Sequence, residues 1–243
     1  GTLRLRPIPP VWSLFVDTGN QIWNDVWMLS ATDGFVVGSG GNLRRWDGNG
    51  WNTVSGGSGI SQNLNAIYCL SVSDCWAVGA SGVIVRCNWS GWSLFVDTGN
   101  QIWNDVTCIS ASNCWAVGNS GALASYNGGA SWLESVIPSS ANILAVYALS
   151  ASDIWAAGAN GRLWHYNGAS WSVYSPSPSG QNLLGLFILT PSAGWAVGGS
   201  GNVIRLSGGG YETNGELVSS AFDLGDPSPV QIIEWDEQVP VCA

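Results

Sequence analysis

The chain has no lysine, one histidine and one methionine, and only 9% of its 243 residues are charged. Seven arginines stand against sixteen acids, a formal net charge of −9. Nucleic acid is therefore excluded as a partner, because neutralising phosphates requires clustered Lys or Arg. No run approaches 18 uninterrupted apolar residues, so no direct membrane insertion is expected. No window shows helical periodicity. The sequence opens at Gly1 without a Met or a signal-type segment, as expected of a mature or excised form. What the chain has in quantity is glycine and tryptophan, 33 and 16 residues, within a 46% apolar composition. That describes a folded, turn-rich body with ample core.

The pentapeptide Cys75-Trp76-Ala77-Val78-Gly79 returns in altered form along the chain. Its echoes end at Gly38, Gly118, Gly158 and Gly198, so the five anchor glycines are separated by 41, 39, 40 and 40 residues. Such a period belongs to propellers or solenoids. Residues 12–26 and 92–106 are moreover the same fifteen residues, WSLFVDTGNQIWNDV, which points to internal duplication.

Each unit holds four short β-branched or aromatic runs bounded by Gly, Ser, Asn and Asp, the signature of strands joined by tight turns. In the second unit they are Ala66–Leu70, Trp76–Gly79, Val83–Cys87 and Trp92–Val96. Gly41, Gly82, Gly121, Gly161 and Gly201 each fall three residues after an anchor glycine, where the turn between strands two and three requires positive φ. Four antiparallel strands per repeat match one propeller blade. The first strand-like run, Trp12–Val16, precedes any first strand of its own and is left to complete the fifth unit, with Tyr211, at the matching place after that unit, competing for the slot or leading the chain away. The expected fold is all-β: a five-bladed β-propeller of four-stranded antiparallel blades, closed by the N-terminal strand, plus a short C-terminal β segment. An open solenoid is disfavoured because it leaves edge strands exposed. The expected division is an extended lead-in at 1–10, the propeller at 11–211 and an acidic strand segment at 212–243.

Cys69 and Cys75 flank the first turn of unit two, and Cys108 and Cys114 hold the same places in unit three. In the other units both positions lose cysteine together, so two local disulfides are expected, and with them an oxidising, extracellular or cell-surface location. A metal site is disfavoured, since the six-residue gaps do not match zinc-ligand spacing. Cys87 replaces an aromatic residue (Trp46, Tyr126 and Tyr166 elsewhere) and is expected to be a buried free thiol; the alternatives for Cys242 are pairing with Cys87 or with a residue beyond the present end. Comparison across units also predicts the ion pairs Asp33–Arg45, Asp74–Arg86 and Asp153–His165.

The turns Asp47-Gly-Asn-Gly-Trp51, Asn127-Gly-Gly-Ala-Ser-Trp132 and Asn167-Gly-Ala-Ser-Trp171 resemble a shortened Asp-box, the Ser-x-Asp-x-Gly-x-x-Trp turn of sialidase-like propellers. The whole repeat is similar to bacterial secreted and surface propellers related to Asp-box and photosystem-assembly-factor-like propellers. The resemblance covers about residues 11–211 and implies the propeller fold, with the Asp-box turns as structural features.

For chemistry, Asp25 and Asp105 open strand one in units one and three, where the other units have Ala66, Ala145 and Gly185. Two carboxylates are the minimum for a propeller glycoside hydrolase. No third acid or arginine cluster joins them, and His165 is spent on an ion pair, leaving no base for a Ser-His-Asp triad. No catalytic residue, cofactor or metal is expected. A binding site is the stronger alternative: Trp23-Asn24-Asp25 and Trp103-Asn104-Asp105 combine a ring for sugar stacking with amide and carboxylate groups for hydroxyls, as in a glycan-binding lectin. The competing assignment is that Trp23 and Trp103 plug the core, as Leu64, Ile143 and Leu183 do in the remaining units.

Residues 212–243 carry seven of the sixteen acids and no base. Two strand-like runs are readable, Glu216–Leu224 and Val230–Val239, and the strings Gly215–Gly225 and Ile232–Trp235 resemble the opening of a β-sandwich module that follows propellers in bacterial surface and pilin-like proteins. Two strands cannot form a stable sheet alone. The expectation is a non-enzymatic extracellular display or adhesion module, in its pilin-like form a subunit of a surface filament, contacting other subunits through 1–10 and 212–243. Asn88-Trp89-Ser90 is a glycosylation sequon, a weak motif by itself.

Overall fold

The computed structural model describes residues 13–15, 19–54, 59–88, 91–97 (main chain only at 96 and 97), 99–137, 139–174 and 177–208. The chain divides into two compact units, Gly1–Gly208 and Gly209–Ala243. The second unit lies outside the described residues, and with it Tyr211, Cys242 and the expected strands of 212–243; so do the 1–10 lead-in, Trp12, Val16 and two residues of the sequon.

The first unit is a succession of antiparallel sheets, one per sequence repeat. Sheet one comprises β1 (Trp23–Ser30), β2 (Asp33–Gly38), β3 (Leu43–Trp46) and β4 (Trp51–Thr53). Sheet two comprises β5 (Leu64–Ser71), β6 (Asp74–Gly79), β7 (Val83–Asn88) and β8 (Gly91–Asp97). Sheet three has β9 (Trp103–Ser110), β10 (Asn113–Gly118), β11 (Ala122–Tyr126) and β12 (Leu133–Val136). Sheet four has β13 (Ile143–Ser150), β14 (Asp153–Gly158), β15 (Leu163–Tyr166) and β16 (Trp171–Tyr174). Sheet five has three strands, β17 (Leu183–Thr190), β18 (Ala193–Gly198) and β19 (Val203–Ser207). Strands follow chain order within every sheet, and the first strands β1, β5, β9, β13 and β17 pack against one another in turn. This is the arrangement of propeller blades.

The turn after the second strand of each sheet is a short 3-10 segment, and its second and third residues both adopt positive φ. The third is the expected glycine, with φ from 71° to 75° at Gly41, Gly82, Gly121, Gly161 and Gly201. The second was not foreseen: Ser81, Ser120, Asn160 and Ser200 sit at φ 54–58°, with Gly40 at the same place in sheet one. A Cβ on Gly41, Gly121 or Gly161 would collide with the carbonyl oxygen of Ile60, Ser139 or Ser179 on the loop entering the next sheet. On Gly201 it would meet nothing within 4 Å.

The core consists of the faces between sheets. Trp76, Val78 and Ile84 of sheet two pack on Cys108, Cys114, Ala124 and Tyr126 of sheet three, and the corresponding sets join the other neighbours. Burying a large side chain there is worth about 1.5–3 kcal/mol. The outward face of sheet five has no such cover: Trp195 and Val203 are 50% and 63% exposed, whereas their sheet-two counterparts Trp76 and Ile84 are both 0% exposed.

Both expected disulfides are present, Cys69–Cys75 and Cys108–Cys114, each joining the first strand to the second. Cys87 is buried and unoxidised, and burial pushes its thiol up to about 11. The three ion pairs form as expected: Arg45–Asp33 at 2.8 Å, Arg86–Asp74 at 3.5 Å and His165–Asp153 at 2.9 Å. The closure by Trp12–Val16 is not formed among the described residues. Ser13, Leu14 and Phe15 are exposed and carry no strand, and sheet five lacks a fourth strand.

Candidate functional site

The six residues singled out from the duplicated stretch fall at the start of β1 and β9, on the first strands of sheets one and three. Each triplet is tied to the sheet that follows it, and the charge of Asp25 reaches Asp105, adding to the upward shift of its pKa. Asp25 accepts the main-chain N–H of Val26 through Oδ1 and that of Ile67, on sheet two, through Oδ2, both at 2.8 Å. Asp105 repeats this one interface further on, accepting Val106 N–H and Val146 N–H of sheet four, again at 2.8 Å. Each carboxylate thus spans two sheets.

The neighbouring amides do the same. Asn24 Nδ2 donates to Leu64 O of sheet two, and Asn104 Nδ2 to Ile143 O of sheet four, both at 2.7 Å. Between them Asn65 Nδ2 donates to Trp103 O, also at 2.7 Å, so three asparagines at equivalent places link sheets one to four in sequence. A second set of ties runs along the turns: Asn63, Asn142 and Asn182 accept through Oδ1 from the N–H of Gly40, Ser120 and Asn160. Sequence comparison missed this ladder. The available signal was Asn65, which shares the position of Asn24 and Asn104 but lies outside the duplicated stretch.

Trp103 is fully buried within the packing between sheets two and three. Trp103 therefore presents no open face for stacking a sugar. Trp23 is part-buried, with the Arg44 guanidinium 5.7 Å from its ring centroid. Burial raises the pKa of Asp25 above the usual carboxylate value, opposed by its two main-chain donors. For Asp105 the same desolvation pushes the value up to about 7, again against two opposing hydrogen bonds. A near-neutral carboxyl is a feature of general acids, but the oxygens of Asp105 are engaged by the protein's own main chain. Among the described residues no group of three or more His, Cys, Asp or Glu side chains is placed to hold a metal ion.

The Asp-box-like turns are self-contained. Asp47 Oδ1 accepts the N–H groups of Asn49 and Gly50, and Asn167 Oδ1 those of Ala169 and Ser170. The side-chain oxygen caps its own turn, as the resemblance implied.

Searches against family models and against curated proteins find no match. Among solved structures the chain is similar to the WD40 β-propeller domain of Doa1, at 12% identity and a TM-score of 0.61, covering 78% of this chain and 66% of that one. It is also similar to the computationally designed Ika8 protein, at 13% identity and a TM-score of 0.59, covering 75% of this chain and 57% of that one. YCF48 bound to D1 peptide aligns at 16% identity with a TM-score of 0.46, covering 81% and 80%. The chain thus spans about two thirds or less of Doa1's domain and of Ika8, and what these likenesses establish is the β-propeller fold.

Proposed function

We propose that the chain is a non-enzymatic display or adhesion module working outside the cell, in its pilin-like form a subunit of a surface filament. The observation that carries this is the use made of the inner-strand polar groups. Asp25 and Asp105, the acids from which a hydrolase site was to be built, are consumed with Asn24, Asn65 and Asn104 in tying sheet to sheet. Such wiring suits a rigid scaffold rather than a reaction centre. Two disulfides suit an oxidising compartment. No helix among the described residues is long and apolar enough to cross a membrane. Segments 1–10 and 212–243 supply the contacts to neighbouring subunits in this proposal.

The same proposal takes the five sheets as a closed ring completed by the N-terminal strand. Its support is an aromatic contact. Phe15 meets Trp46 of sheet one edge-on, at 5.1 Å and 84°. Phe95, at the same place in the duplicated stretch, meets Tyr126 of sheet three at 5.6 Å and 89°, and Tyr126 occupies the repeat position of Trp46. Phe15 therefore stands to sheet one as the fourth strand of sheet two stands to sheet three. Sheet five is the sheet that lacks a fourth strand.

Electron microscopy of the material as isolated from its source tests the display function. Filaments or other ordered surface assemblies carrying this chain at regular intervals support it; dispersed monomers overturn it.

A further inference from the structure

The interface between sheets one and two differs from the next two in one respect. Between sheets two and three, Trp76 and Trp132 meet edge-on at 5.1 Å, and the Tyr126 ring packs beside them at 4.8 Å and 5.7 Å. The Tyr126 hydroxyl accepts a hydrogen bond from Arg86 Nη1 at 3.1 Å. Between sheets three and four, Trp115, Trp171 and Tyr166 form the same trio at 5.0–5.8 Å.

Between sheets one and two the frame is present but the phenol is not. Phe35 and Trp92 meet edge-on at 5.5 Å, and Arg45 is held over Phe35 at 5.9 Å by its two hydrogen bonds to Asp33. The tyrosine position is Cys87, and the position of Phe95 one interface on is Val54. Two rings fewer leave a cavity of about 660 Å³, lined by Phe35, Trp92, Val54 and Cys87, with Arg45 and Asp47 among its polar groups. Pockets that take small ligands combine an apolar lining with a few placed polar groups in this way.

We infer that this cavity is a binding site for a phenolic ring, the side chain of a tyrosine presented on a peptide segment. The ring lies against Phe35 and Trp92 in the place that Tyr126 and Tyr166 take in the following interfaces, and its hydroxyl accepts a hydrogen bond from Arg45. Binding is non-covalent: buried and with its pKa raised, Cys87 remains a thiol at neutral pH.

N-acetyl-L-tyrosinamide and N-acetyl-L-phenylalaninamide, titrated by NMR into the whole chain, are the probes. A single side chain is expected to bind in the millimolar range, the tyrosine probe about fivefold more tightly for its one additional hydrogen bond. Cys87→Tyr supplies the missing ring: it is expected to abolish binding of both probes and to raise the melting temperature. Cys87→Ala is expected to retain binding. Arg45→Met is expected to reduce the tyrosine probe to the affinity of the phenylalanine probe. Undiminished binding in Cys87→Tyr, a lowered melting temperature in that variant, or no binding of either probe to the unaltered chain would overturn the inference.

Discussion

Asp105 makes the stability of the fold depend on pH in the direction opposite to a salt-bridged acid. Its carboxyl titrates at about 7 in the folded chain against 3.8 ordinarily. The folded state therefore holds a proton that the unfolded state releases. Stability from this group is fully present below pH 3.8 and is lost as pH rises through about 7. That interval, at about 1.4 kcal/mol per pH unit, caps the loss at roughly 4 kcal/mol. Because Asp105 keeps some surface access, solvent screening reduces this to about 2 kcal/mol. For a domain of this size the loss corresponds to about 4–8 °C in Tm. The assay is thermal unfolding at intervals between pH 4 and pH 8, for the unaltered chain and for Asp105→Asn. Asparagine keeps the shape and one acceptor but cannot ionise, so the variant starts less stable at pH 4 and loses less on the way to pH 8. Asp25, shifted in the same direction, titrates in both proteins; its repulsion of the Asp105 carboxylate, one cause of the shift, is removed by the asparagine together with the rest of the effect. Parallel profiles for the two proteins would refute the argument.

Two further outcomes follow from the same wiring. Asn104→Ala removes the amide that donates to Ile143 O and to Asn119 Oδ1, at a cost of about 1–3 kcal/mol, read as a lowered denaturant midpoint with unchanged slope. Replacing Cys108 and Cys114 together by serine opens a loop with a sequence separation of only six residues, and chain entropy limits the loss to about 2 kcal/mol. Far-UV circular dichroism of that double variant should remain native at 25 °C.

The repeat made most of this fold legible. The five anchor glycines marked the second strands, and the first, third and fourth strands of sheet two fell within two residues of the expected bounds. The ion pairs were legible because acid and base change together across units, as at Asp153 and His165 against Asn113 and Ser125. The positive φ at Ser81, Ser120 and Ser200 was not, since serine carries no left-handed signature and is held there by the surrounding turn. The role of Trp23, Asn24, Asp25 and their duplicates was obscured by the duplication itself. An exact repeat of polar residues beside tryptophan resembles a binding motif, while the hydrogen bonds that explain it run to main-chain atoms some forty residues away, which side-chain comparison does not reveal. Cys87 is the converse case. The sequence located its departure from the aromatic pattern, and only packing showed that the lost ring leaves a cavity.

The proposed ring closure, which is not formed among the described residues, is tested directly by a cross-link. In sheet two, Leu94 pairs with Val85; the corresponding residues for closure are Leu14 and Ile204. With both changed to cysteine and oxidised, the account predicts a disulfide between positions 14 and 204 within one chain, found by peptide mapping of the monomer. A cross-link that joins two chains, or none at all, would contradict it.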